Sequence, residues 1–215
     1  MTSSNRVLVI SGSGRTVKLV VEELLHHGHQ VTALVRRPEA MSIQISAGLK
    51  TCTGRPLDRR DVRNAFAQSK PEVVIVTLSA PRASNSPFAA VVSPLRLMAD
   101  STANAVAMMK DFDTPKIVIM QAFGVRESWR NLHCVMRLLM KQSNMIYQYD
   151  DHNLVAKETK ASGDNYVFTK EVREWADDGK GVPMMAAITR GSVAKFLVAA
   201  AESQTWDGTA PVITN

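Results

Sequence analysis

The run Val7-Leu8-Val9-Ile10-Ser11-Gly12-Ser13-Gly14-Arg15-Thr16-Val17 limits the possible folds more than any other stretch. Val7 to Ile10 are apolar and mostly β-branched, the pattern of a strand buried on both faces. Gly12 and Gly14 bracket Ser13 and permit a tight turn with close approach of backbone to a ligand. Beyond the turn, Val17, Val20, Val21, Leu24 and Leu25 recur at helical spacing, with Lys18, Glu22 and Glu23 on the other face. A buried strand, a glycine turn and an amphipathic helix, in that order, open a dinucleotide-binding fold. The free N–H groups and partial positive charge of the helix N-terminus receive the pyrophosphate. The expected cradle is Gly12, Ser13, Gly14, Arg15 and Thr16.

The glycine signature is incomplete. Gly12-x-Gly14-x-x-Val17 carries valine where a third glycine normally lets helix and strand pack closely. Against the alternative Gly-x-x-Gly-x-x-Gly spacing, Ser11 and Val17 replace the outer glycines. Two readings follow: a cradle that still holds a nucleotide, or a scaffold that has lost it. The next strand favours the first. After Gly28, which ends the helix, His29 to Val35 reads as a strand that finishes at Arg36-Arg37-Pro38. An acidic residue at this point would bind a ribose 2′-hydroxyl, whereas arginines suit a 2′-phosphate. Arg36 and Arg37, joined by Arg15, therefore favour NADP over NAD.

Strands and helices alternate through the rest of the chain. Leu49–Thr53 is the third strand, and Gly54 to Asp58 is a turn in which Pro56 forbids helix. Asp58 or Asp61 caps the next helix. Further strands are expected at Glu72–Leu78, Lys116–Met120 and Asn165–Thr169. Further helices are expected from about Pro94 to Phe112, over Leu132 to Met140, from Asp150-Asp151-His152 to Gly163, and from Gly191 to Glu202, with Trp175 to Gly181 a polar loop. This order predicts a Rossmann-like, doubly wound parallel sheet with helices on both faces, and 215 residues fit one domain.

Ligands of open α/β sheets sit over the carboxyl ends of strands. Two loops occupy such positions: Ser79 to Pro87, offering Ser79 and Arg82, and Gln121 to Ser128, offering Gln121, Arg126 and Glu127. Asp151 and His152 add acid–base groups, although His152 beside Asp151 also reads as helix capping and packing. The net charge of +6 is scattered and aromatics make up only 6%, so there is no base-stacking platform. The charge therefore points to small anionic ligands and a small-molecule substrate, not nucleic acid or membrane. No apolar run reaches the ~20 residues of a membrane span, and Met1 to Arg6 lacks a signal-peptide core, so a cytoplasmic location is expected. Cys52 and Cys134 match no metal or redox spacing, and no metal site is expected. Met136, Met140, Met145, Met184 and Met185 fill core or line an adaptable apolar pocket.

The stretch Arg6 to Arg37 resembles the opening of atypical short-chain dehydrogenase/reductases, in the NmrA-like and biliverdin/flavin-reductase-like branch. Lys116 to Gly124, Asp151-His152, Ser162-Gly163, Tyr166-Val167 and Ile188-Thr189-Arg190 follow in the same order. The chain is particularly similar to NAD(P)-binding oxidoreductases of fungal secondary-metabolite gene clusters. The resemblance implies a substrate pocket built from the C-terminal half. It also has departures: Gln121 stands where the family usually has serine, Lys170-Glu171 where many members have Arg-Pro, and Arg173 near the reductases' pocket histidine. Tyr166-x-x-x-Lys170 matches the Tyr-x-x-x-Lys pair formally, but on a strand its ends stand ~13 Å apart, too far to share a proton.

Three functions fit this sequence. One is an NADPH-dependent reductase of a small, flat, apolar metabolite, with Ser79, Gln121 or Arg126 polarising its carbonyl. Another is a non-redox isomerase, cyclase or dehydratase that uses Glu127, Asp151 and His152 on a degenerate cofactor site. The third is an NmrA-like regulator that senses NADP.

Overall fold

A computed structural model describes residues 5–11, 14–41, 47–170 and 188–213. Gly12, Ser13, Glu171, Arg173, Met184, Met185 and the Trp175 to Gly181 loop lie outside the described residues. The strands are β1 (Arg6–Ser11), β2 (Gln30–Val35), β3 (Leu49–Thr53), β4 (Val73–Thr77), β5 (Lys116–Gln121) and β6 (Tyr166–Lys170). They form one six-stranded sheet in the order β3-β2-β1-β4-β5-β6, with every pairing parallel. The helices are α1 (Arg15–His26), α2 (Arg59–Ser69), α3 (Leu97–Asp111), α4 (Cys134–Gln142), α5 (Met145–Ser162) and α6 (Arg190–Glu202).

The period-2 geometry of the strands divides the core in two. Leu8, Ile10, Val74 and Val76 face one layer, with Phe66 of α2, Met108 of α3 and Val155 of α5. Val7, Val9 and Ile75 face the other, with Val17, Val20, Val21 and Leu24 of α1 and Leu197 of α6. Each of these buried aliphatic side chains contributes ~1.5–3 kcal/mol of transfer free energy. This is why strands so uniformly apolar need helices on both faces: the doubly wound Rossmann-like fold expected from the sequence. Among the described residues, no helix is long and apolar enough to cross a membrane.

Several local expectations are corrected. The helix expected to open at Asp150-Asp151-His152 begins instead at Met145, so Asp151 and His152 lie inside α5 and neither caps it. Asp151 is 0% exposed and acts on another helix: its Oδ2 accepts the Met98 N–H at 2.8 Å and its Oδ1 the Ala99 N–H at 2.9 Å. Both donors belong to the first turn of α3, whose own N-cap residue, Arg96, offers no side-chain cap. Burial raises the Asp151 carboxyl above its usual value, and the two backbone donors only partly offset this. Nearest-neighbour capping rules could not find the contact, because it spans more than fifty residues. Helix α3 starts at Leu97, not Pro94. Helix α4 buries Met140 but leaves Val135 60% and Leu138 56% exposed, so its apolar residues are not a core stripe. Asp58, not Asp61, caps α2, accepting the Arg60 N–H at 2.8 Å. Tyr166 and Lys170 occupy the two ends of β6, as their spacing predicts.

A histidine–carboxylate latch ties α1 to α6 at the end of the sheet where β2 begins. Gly28, at φ +81°, reverses the chain between His27 and His29 so that both reach Glu202. His27 Nδ1 lies 2.9 Å and His29 Nε2 2.8 Å from Glu202 Oε1. The three donor atoms lie within 4.8 Å of one another, close enough for a shared cation. However, the Asn5 N–H donates to His29 Nδ1 at 3.1 Å. This assigns the His29 proton to Nε2, the atom a metal would need unprotonated, so a proton-mediated latch is the consistent reading. The hydrogen bond to Glu202 raises the His27 pKa against the opposing effect of burial. Burial disfavours the Glu202 charge, but hydrogen bonds from His27 and His29 outweigh it and leave that carboxyl below its usual value.

Two outcomes are expected. Asp151→Ala, which orphans two buried N–H groups at the start of α3, lowers unfolding stability by ~2 kcal/mol in urea titration, whereas the exposed neighbour change Asp150→Ala leaves it unchanged. The raised His27 pKa contributes stability that is full below its unfolded value of 6.5 and is lost as pH rises through the folded value. The lowered Glu202 pKa contributes stability above 4.5 that is lost as pH falls. Thermal melts of Glu202→Gln against the parent should therefore differ most near about pH 5.5 and less in alkaline buffer, where His27 is neutral.

Candidate cofactor site

A crevice of about 990 Å³ lies over the carboxyl ends of β1 to β4, within the size range of small-ligand sites. Its floor is Ser11 and Gly14 from the β1–α1 junction. Gly14 is the N-cap of α1, at φ −74° and ψ 160°. Having no side chain, it leaves the first-turn N–H groups of α1 to solvent or a ligand. A Cβ added at Gly14 would meet nothing within 4 Å, so no described part of the protein fills the space beside that helix end.

Of the two residues that weaken the glycine signature, Val17 lies off the crevice and Ser11 sits at its floor against β4. Val17 is 1% exposed and packs in the apolar layer between α1 and the sheet. Ser11 is 2% exposed, and its Oγ lies 3.4 Å from the carbonyl of Thr77, its register partner on β4. Valine at position 17 therefore fills the helix–strand interface, which a third glycine would merely have narrowed.

One wall of the crevice is basic. Arg36 and Arg37 leave the end of β2, and both line it, as does Ser79 after β4. Arg15 is exposed on the first turn of α1 and Thr16 is half-buried; neither lines the crevice. The sequence reading missed two charged lining residues, Arg55 and Asp61. The Gly54 N–H donates to Val35 O at 3.0 Å, continuing the β2–β3 ladder past the strand ends. Asp61 Oδ2 then accepts the Arg55 N–H at 2.8 Å. At Gly54 an added Cβ would stand 2.8 Å from Asp61 Cβ and 3.0 Å from Leu34 Cδ1, so only glycine lets this loop close. The available signal was positional: Arg55 follows the third strand much as Arg36 follows the second. Apolar residues also line the crevice: Leu57, Leu78, Val92 and Leu97 with Pro56 and Pro81.

Arg82 donates from Nη1 to Ser86 O within its own loop, the other candidates form a second group around the end of β5 and α5, and none of them lines this crevice. Gln121 is buried; its Nε2 donates to His152 O at 3.4 Å, and its Oε1 has no partner among the described residues. Packing lowers the His152 imidazole to about 4, so it is neutral at pH 7 and available only as a proton acceptor. Arg126, at φ 52°, donates its backbone N–H to Asn153 Oδ1 at 2.9 Å, while its Nε lies 3.3 Å from Glu127 Oε1. Lys160 Nζ lies 3.7 Å from the same oxygen. Tyr149 Oη donates to Phe123 O, pinning the start of this loop to α5.

An open helix N-terminus and a basic rim over the carboxyl ends of a parallel sheet define a Rossmann-type nucleotide-binding protein. The chain belongs to the NAD(P)H-binding family, whose profile matches residues 12–204. No curated protein sequence matches it. Among solved structures it is similar to ChuY, an anaerobillin reductase from Escherichia coli O157:H7, at a TM-score of 0.72 and 15% identity, covering 97% of each chain. It is similar to a Lactobacillus casei protein at 0.70 and 16% identity, covering 97% of this chain and 99% of that one. It is also similar to the Bordetella bronchiseptica enzyme WbmH in complex with NAD+, at 0.65 and 13% identity, covering 98% of this chain and 75% of that one. At these identities the likeness is one of fold.

The glycines at the two ends of the crevice differ in a measurable way. Gly14→Ala should cost no more than about 1 kcal/mol of unfolding free energy, the N-cap preference for glycine over alanine alone, because its methyl enters open space. Gly54→Ala should cost ~1–3 kcal/mol, because its methyl collides with Asp61 and Leu34.

Proposed function

We propose that the protein is an NADPH-dependent reductase acting on a small, flat, largely apolar metabolite of polyketide or quinone type. One observation carries the reading: the open N-terminus of α1 at Gly14 shares a crevice with Arg36, Arg37 and Ser79, while Val17 packs away in the core and the Ser11 Oγ, at the crevice floor, lies against Thr77 O. In this reading the α1 N–H groups at Gly14, Arg15 and Thr16, with Gly12 and Ser13, hold the pyrophosphate, and Arg36 and Arg37 hold the 2′-phosphate. NADPH supplies the hydride when bound. The apolar lining of Leu57, Leu78, Val92 and Leu97 suits the flat adenine face. Ser79, Gln121 and Arg126 are the groups that would orient and polarise an acceptor carbonyl. The resemblance to secondary-metabolite oxidoreductases supports the substrate class.

A second reading, a non-redox isomerase, cyclase or dehydratase, draws on His152. Its imidazole is neutral and partly buried, and Glu127 Oε1 lies 3.3 Å from Arg126 Nε and 3.7 Å from Lys160 Nζ.

Titration of NADPH and NADH, followed by nicotinamide fluorescence, separates the two. Micromolar NADPH binding that weakens about tenfold in Arg36→Ala is expected. NADPH oxidation with quinone or flavin acceptors then identifies the reductase, and binding without turnover indicates a sensor. Binding of neither nucleotide removes the proposal and leaves the non-redox enzyme.

A further inference from the structure

We infer that Arg55 is a third reader of the 2′-phosphate and a determinant of NADPH over NADH. The inference rests on the nicotinamide reading above and extends it to a residue outside the strand-end position where such arginines are sought. The placement follows from the ladder. Val35 pairs with Thr53, and the Gly54 N–H···O=C Val35 bond carries the pairing one step further. Arg36 and Arg55 therefore each follow a residue in that last bond, and the two chains leave the sheet side by side.

The Arg55 backbone is held independently of its side chain. Asp61 accepts its N–H, and the missing Cβ of Gly54 lets the loop lie against Asp61. Arg55 lines the crevice together with Arg36 and Arg37. None of the three forms an ion pair with another described residue. The carboxylate that shares the lining, Asp61, already accepts the Arg55 N–H.

Three arginines against one carboxylate, Asp61, leave this end of the crevice net positive, which favours a multiply charged anion. The pyrophosphate is not that anion, because it belongs at the α1 N-terminus above β1. Neighbouring strands are ~4.8 Å apart, so the ends of β2 and β3 stand roughly 5 and 10 Å to the side. A phosphomonoester on the adenosine ribose lies on that side and carries close to two charges, which a planar arginine fork can meet in bidentate fashion. NADH has a hydroxyl there and gains nothing from a third arginine.

The test uses the full chain with NADPH and NADH as probes, in parent, Arg55→Ala and Arg55→Lys proteins. Arg55→Ala should weaken NADPH about tenfold and leave NADH within about twofold, and Arg55→Lys, which keeps the charge but loses the fork, should fall between. Urea midpoints should match the parent, since Arg55 is held through its backbone. Equal weakening of both dinucleotides, or no change in either, overturns the inference while the NADPH reading stands. A parent protein that binds neither dinucleotide, or prefers NADH, overturns the reading and the inference together.

Discussion

The structure depends on a single strand that has no free side. β1 is paired along both edges, to β2 and β4, and covered on both faces by helices. Every group on it must be satisfied by backbone ladder or apolar packing, so its register and depth are rigidly determined. That rigidity is inherited by whatever leaves its carboxyl end. Gly14 begins α1 at a defined place, Arg36 and Arg55 emerge from the next two strands, and Ser79 emerges from the strand on the other side. The crevice is the space these four exits leave between them.

Polar tertiary contacts then hold the helices against that sheet. Asp151 caps α3 from within α5, fixing two helices of one layer to each other. His27, His29 and Glu202 join α1 to α6 in the opposite layer. Lys116 Nζ lies 2.6 Å from Asp207 Oδ1, linking the start of β5 to the segment after α6. Each contact combines a buried or half-buried charge with a fitted partner, and each links residues far apart in the chain.

The candidate catalytic groups around β5 and α5 lie apart from the arginine-lined crevice. Gln121, Arg126, Glu127 and His152 gather around the exit of β5 and the middle of α5, while Gly14, Arg36, Arg37, Arg55 and Ser79 gather around β1 to β4. A dinucleotide laid across the switch between β1 and β4 would extend from the second group toward the first. In the proposed reading, the adenosine end would be held apart from the residues that would act on a substrate.

The residues alone determined the layered α/β fold, the strand order of appearance, the glycine turn and the arginines after the second strand, because apolar periodicity and turn chemistry are short-range properties. Leu49–Thr53 is predicted with the bounds it has, and α1 with the face it buries. Only the tertiary structure decided that Val17 packs into the core, that Asp151 serves a helix other than its own, and that Arg55 joins Arg36 and Arg37. Those outcomes depend on which strands become neighbours, and the energy that makes them neighbours is burial summed over the whole sheet. No local window of sequence contains it.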